Sequence, residues 1–145
     1  MGLARLSRYA AALWWGSLTA LGCWVVPLLF VHLPTPAMAG QMAARLFSAQ
    51  TWVSVACGVV LLLISRSNRA VARIATPSSV LVFIVAGMLL ALLLEFAVAP
   101  RIVARDNLRL WHSVGSVMLG LQWLCAALLL WRTGATEGDN DLANS

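Results

Sequence analysis

Glu95 is the one carboxylate inside a long apolar run of this 145-residue chain, and it is the first residue whose type and placement could do chemistry. Five further polar side chains fall at similar depth beside neighbouring apolar runs: Gln50, His112, His32, Arg45 and Arg101. An acid within hydrocarbon costs a few kcal/mol and characteristically faces other helices with a partner. Gln50, His112, Arg45 and Arg101 are therefore the expected partners of Glu95. One reading is a site that takes a proton or attracts a cation. The other is a structural clamp joining helices two, three and four, and the sequence favours the clamp. His32 and His112 are also the right type to ligate haem in pairs. Both fall at helix ends on one side, where an upright haem is hard to accommodate.

Such a cluster needs elements to hold it, and the composition says which. Hydrophobic residues make up 61% of the chain and charged ones 10%, with a mean hydropathy of +0.88, whereas soluble domains carry about 25% charged residues. The ten basic residues are all arginine and stand between or beside apolar runs. That suits anionic headgroups and a positive cytoplasmic face rather than nucleic acid, for which there is no basic stripe or stacking motif. Cys23, Cys57 and Cys125 each lie in an apolar run without CxxC or Cys/His spacing, so they are expected as free thiols packed like small apolar residues.

A helix crosses the hydrocarbon core with roughly 20 apolar residues. Four segments qualify, at about 9–31, 46–64, 80–99 and 111–131. The expected fold is all-α, an integral membrane bundle of four transmembrane helices over residues 9–132. A short N-terminus, 1–8, precedes it, and a Gly/Asn/Asp/Glu-rich tail, 133–145, is expected to be disordered. The His32–Pro36 stretch ends the first helix, Ser65–Arg69 ends the second, and Thr76-Pro77-Ser78 offers a start for the third. Arginines divide six (Arg5, Arg8, Arg66, Arg69, Arg73, Arg132) against four (Arg45, Arg101, Arg105, Arg109), which favours both termini in the cytoplasm of a bacterial inner membrane. Trp14, Trp15 and Trp131 would then form the inner aromatic belt and Trp52 and Trp111 the outer one, while Trp24 and Trp123 lie deeper and suit helix packing.

Helices in lipid associate through small residues and polar contacts. Stripes four residues apart mark the expected contact faces: Ala12, Gly16 and Ala20; Gln50, Ser54 and Gly58; Gly87, Ala91, Glu95 and Ala99; His112, Ser116 and Gly120. Pro27 and Pro100 free the carbonyls of Cys23 and Phe96, which predicts a kink or helix end at each, or a carbonyl lining a polar cavity. Arg101, Arg105 and Arg109 would share a solvated face if the third helix continued past Pro100.

The run Leu13-Trp14-Trp15-Gly16 leading to Val26-Pro27-Leu28-Leu29-Phe30, then Leu33-Pro34 and Ala39-Gly40 ahead of Leu46-Phe47, resembles the opening of the transmembrane protein 205-like family, the bacterial domain of unknown function 4149. Val98-Ala99-Pro100-Arg101-Ile102 and Leu110-Trp111-His112-Ser113 resemble its second block, and the likeness spans about Leu13 to Trp131. The resemblance implies a four-helix inner-membrane protein without an established activity, with Pro27, Phe30, Gly40, Phe47, Pro100, Ile102, His112 and Ser113 at its motif positions. Trp111 stands where the family more often has Phe.

No nucleophile–base pair, phosphate loop, cofactor motif or metal spacing is present, so the sequence indicates neither an enzyme nor a cofactor. Three readings are open: an accessory or small-solute or ion transport component, a haem- or porphyrin-linked oxidoreductase, and a structural subunit. The expected partners are the lipid bilayer and a second copy or another membrane protein. Arg5 and Arg8 before an apolar run, with Ala37-Met38-Ala39 after it, also resemble a signal peptide. The run of about 23 residues is too long for that, since such regions span about 7–15. Amino-terminal sequencing of membrane-extracted protein is therefore expected to find the first helix retained, and a start at Gly40 would overturn this.

Overall fold

The computed structural model describes the backbone of residues 2–72, 78–104 and 106–143 and the side chains of 2–67, 79–104 and 106–133. All regular structure within them is helical, and four helical stretches are long and apolar enough to cross a membrane: Leu3–His32, Pro36–Ser67, Ser79–Val103 and Leu108–Thr133. Each span packs on its two neighbours in an up-and-down bundle. Large apolar side chains such as Leu13, Val31, Leu63, Val82 and Phe96 face outward on every span. In water that surface would aggregate; in lipid it is the solvated face.

Two spans are interrupted. The first comprises α1 (Leu3–Ala20), a π-helical segment (Leu21–Val25) and α2 (Val26–His32), and the third comprises α4 (Ser78–Leu93), a second π segment (Leu94–Val98) and α5 (Ala99–Val103). The prolines explain both. A proline lacks an N–H and its ring collides with the carbonyl four residues back. In each case the turn ahead of it is widened, with Val26 N–H donating to the Leu21 carbonyl and Ala99 N–H to the Leu94 carbonyl. The helix thus passes through Pro27 and Pro100 instead of ending there, as π bulges allow.

Between the first two spans, Leu33 turns to an extended conformation and Thr35 caps the second span, its hydroxyl accepting from Met38 N–H at 3.3 Å. With Pro36 at the first helical position, α3 begins there and runs to Ala72, ten residues before the expected start at Leu46 and past the expected end at Ile64. The apolar run marks where lipid begins, not where the helix does. Between the third and fourth spans, Asn107 takes a positive φ of 41°, a conformation asparagine tolerates better than most residues.

α6 then runs from Leu108 to Ala143, so the backbone is helical through most of the tail expected to be disordered. Extending an existing helix needs no new nucleus, which is why a polar composition did not stop it. Arg73, Thr76, Pro77 and Arg105 lie outside the described residues, as do the side chains of Arg69 and of the acidic tail. Arg101 and Arg109 belong to different helices, so the shared face drawn from a continuous third helix does not form.

The core centres on Ala11, Trp14, Leu18, Cys57, Leu61, Ile84, Ala126 and Leu129. Only two of the four expected stripes pack within it. Gln50, Ser54 and Gly58 are buried, as are Gly87 and Ala91, whereas Gly120 is exposed and nothing lies within 4 Å of a Cβ placed on Gly16 or Gly120. Trp14 is the reason for the first span: it is 0% exposed, in the core rather than an interfacial belt. Its large ring claims the inward face, which turns Gly16 aside. Trp24, expected to pack between helices, is 71% exposed.

The two hairpins repeat one design. The π segments and their prolines recur 73 positions apart, Pro27 with Pro100, and Ala11, Trp14 and Leu18 match buried Ile84, Gly87 and Ala91 at the same spacing. In the second helix of each hairpin, Gln50, Ser54 and Cys57 correspond to Gln122, Ala126 and Leu129, all buried. At one pair the repeat is broken for packing: the Trp14 ring fills the space left by Gly87, where an added Cβ would lie 2.9 Å from its edge. Gly87→Ala is expected to destabilise the bundle by about 1–3 kcal/mol, measured by thermal unfolding in detergent. Gly16→Ala, with open space around it, should be neutral or slightly stabilising.

Candidate functional site

The polar groups inside the bundle form a seam different from the expected cluster. Gln50 donates to the Ser17 hydroxyl at 2.9 Å and to Ser54 at 3.4 Å, and Gln122 donates to Ser54 at 2.9 Å. Ser54 in turn donates to the Gln50 carbonyl at 2.9 Å, and Ser17 to the Trp14 carbonyl at 3.0 Å. A hydroxyl has one hydrogen to give and two lone pairs. Ser54 uses all three and joins the second span to the fourth, while Gln50 joins the second to the first. Nearby, the Trp123 indole donates to Thr19 at 2.8 Å and its ring lies 5.7 Å from that of Trp15. The indole nitrogens of Trp14 and Trp15 are buried with no hydrogen-bond partner among the described residues, so tight ring packing holds them at the expense of two unpaired donors.

Glu95 stands apart from this seam. Half-buried in the second π segment, it accepts from the Ser48 hydroxyl at 2.5 Å, which ties the third span to the second. None of the expected partners reaches it. Gln50 is engaged in the seam, Arg45 is exposed, and His112 is exposed at the head of α6. Arg101 turns outward to Asp106 at 3.6 Å and lies over the Trp111 ring at 4.7 Å. His32 is also exposed, its Nδ1 on the Leu28 carbonyl at 3.0 Å. Ser17, Thr19, Ser48 and Gln122 were not singled out by the sequence, although Gln122 is one of only three glutamines in the chain.

A cavity of about 470 Å3 opens at the end of the bundle that carries the first and third loops, between α2, the start of α3, the second π segment with α5, and the start of α6. Its lining follows the repeat: Phe30 is matched by Val103, Gly40 by His112 and Ala44 by Ser116. The walls are apolar except for Gln41, His112 and Ser116. Five residues placed by the family resemblance meet here, namely Phe30, Gly40, Phe47, Ile102 and His112. Pro27 and Pro100 instead shape the π segments that form part of its surround, and Ser113 faces outward with its hydroxyl on the Arg109 carbonyl at 3.0 Å. The volume falls within the roughly 300–1,000 Å3 of small-molecule sites. The freed carbonyls of Cys23 and Phe96 are not in the lining. Neither are His32 and Glu95, so the paired-histidine haem site does not assemble in this space.

Four bilayer-length helices, a hydrogen-bonded polar seam and one end cavity define a small multi-pass membrane bundle. The chain belongs to the family described as domain of unknown function 4149, which it matches over residues 9–110. That range ends as α6 begins, short of the Trp131 limit read from the motifs, and leaves His112 and Ser113 beyond it. No curated protein and no solved structure matches the chain.

Removing the hydroxyl shared by the two buried glutamines should cost more than an exposed hydroxyl on the same bundle. Ser54→Ala is expected to lower stability by about 1–2 kcal/mol and Ser113→Ala by less than about 0.5 kcal/mol, both read by thermal unfolding in detergent.

Proposed function

We propose that this protein is a non-catalytic component of the bacterial inner membrane that holds a small, largely apolar solute in its end cavity, as an accessory or transport component. The observation that carries the reading is the cavity itself. It is apolar, it lies between all four spans, and the side chains of Gln41 and His112 in its lining have no hydrogen-bond partner among the described residues. Both side chains are exposed, so they can hydrogen-bond to a bound solute or to water. The polar seam does not supply a working site on this view. Its members satisfy one another, and Glu95 with Ser48 serves as a clamp between the second and third spans.

The arginine distribution supports cytoplasmic termini, with the cavity opening toward the opposite face. The order of the Leu13–Gly16, Val26–Phe30 and Val98–Ile102 blocks supports a closer kinship with transmembrane protein 205-like proteins. A second copy or another membrane helix as partner is supported by one observation: among the described residues nothing lies within 4 Å of a Cβ placed on Gly16 or Gly120, and Gly120 is exposed.

Gly40 offers a direct test, because nothing lies within 4 Å of a Cβ placed on it and a larger side chain can fill the cavity without disturbing the packing. In nanodiscs, saturable binding of the neutral probe N-phenylnaphthylamine is expected to fall at least about tenfold in Gly40→Leu and to be unchanged in Glu95→Gln. Equal binding by Gly40→Leu and the parent protein would refute the reading.

A further inference from the structure

The two hairpins differ at one telling place. Glu95 and Ser48, which clamp the third span to the second, correspond under the repeat to Gly22 and Gly120 on the first and fourth spans. Two glycines thus stand where the other half has a hydrogen bond. A Cβ placed on Gly120 would meet nothing within 4 Å, and one on Gly22 only the Leu119 side chain at 3.9 Å. From here toward the cavity the two sides of the bundle diverge. The second π segment and α5 pack on both α6 and α3, whereas α2 packs on α3 rather than on α6. Thr19 and Trp123, about one turn further in, are the last hydrogen-bonded pair between the first and fourth spans among the described residues. The gap beyond them leads into the cavity, because Leu119 and the α2 residues Val26 and Phe30 line it. Gly22 lies ten residues before the end of α2 at His32. That is about 15 Å of helix, or half of a hydrocarbon core about 30 Å thick. The gap therefore faces one leaflet of the bilayer.

We infer that this gap is a lateral portal, and that through it the cavity takes an uncharged single-chain lipid with a hydroxyl head from the surrounding leaflet. This rests on the cavity reading above and adds the class of ligand and its route. The lining orients the molecule. Gln41 lies five residues into α3 and His112 four into α6, about 6–8 Å from those helix starts, and Ser116 follows one turn deeper. An amide, an imidazole and a hydroxyl offer both donors and acceptors, which suits a hydroxyl head. Among the described residues the lining holds no arginine, aspartate or glutamate, so a charged head would be desolvated there without a counter-ion. The deeper wall, with Leu94 and Leu119, is apolar and leads to Gly22. Head and chain thus lie in the cavity as they lie in the leaflet. A molecule arriving from water needs only the end opening; one already dissolved in the bilayer needs the side.

The test uses the full chain in phosphatidylcholine nanodiscs with three photoreactive probes that share a hexadecyl diazirine chain and end in an alcohol, a carboxylic acid or an amine. The alcohol is expected to label peptides of 20–30, 36–47 and 108–119 about tenfold more than the two charged probes. Filling the gap by Gly22→Leu with Gly120→Leu should lower that labelling about tenfold, because the long chain reaches the gap. Binding of N-phenylnaphthylamine, whose compact rings stay within the cavity, should remain within about twofold of the parent protein. Parental labelling in the leucine pair overturns the portal, and equal labelling by all three probes overturns the ligand class; both leave the cavity reading intact. Labelling and dye binding that alike ignore Gly40→Leu overturn that reading too. Loss of dye binding together with labelling in the leucine pair makes the glycines part of the cavity wall and overturns the portal. A dimer on native mass spectrometry that the leucine pair disperses means a second copy covers Gly120, and overturns it as well. Unchanged elution of the leucine pair on size exclusion establishes that the bundle is intact.

Discussion

In hydrocarbon, each backbone amide must find its partner inside the protein, since an unpaired one costs several kcal/mol. Much of this molecule comes from meeting that condition at two prolines. Pro27 and Pro100 lie within bilayer-spanning helices, and each is preceded by a five-residue π segment that reassigns the hydrogen bonds by one position. The widened turns let both spans continue, and the Leu94–Val98 segment puts Leu94 and Val98 into the cavity wall and Glu95 opposite Ser48. The cavity, the clamp and the repeat between hairpins all sit at these interruptions.

Packing obeys a second rule of the bilayer. Apolar burial gives helices no reason to prefer one another over lipid, so contact depends on shape and on polar pairs. Trp14 seated against Gly87 supplies the first, and Ser17, Gln50, Ser54 and Gln122 supply the second. Trp15 and Trp123, together with Thr19, close the contact between first and fourth spans. The surface left over is apolar on every side, as a protein dissolved in lipid requires.

Four apolar runs of bilayer length made the fold class plain. Helix ends were less legible, because hydropathy reports immersion while capping reports helix start. Thr35-Pro36 carried the start of α3 in plain view. The partners of Glu95 were not legible. Spacing along one helix gives a face, but which residue of the next helix meets it depends on rotation and vertical offset, and these were set by Trp14 and the π segments. A small-residue stripe misled for the same reason in the first and fourth spans. The repeat could have been found from Leu21-x5-Pro27 against Leu94-x5-Pro100 and from Gln50 against Gln122, although few identities accompany them.

The division of the polar seam between hairpins has a consequence for assembly. Gln50 and Ser17 belong to the first hairpin, so their bond is available as soon as two helices have entered the bilayer. Ser54 then presents a vacant lone pair that no residue of that hairpin fills, and Gln122, more than sixty positions later, is what fills it. The first hairpin can thus be latched within the bilayer while still offering that lone pair to the second. Insertion in chain order thereby becomes a sequence of two closures, the later one waiting on the fourth span.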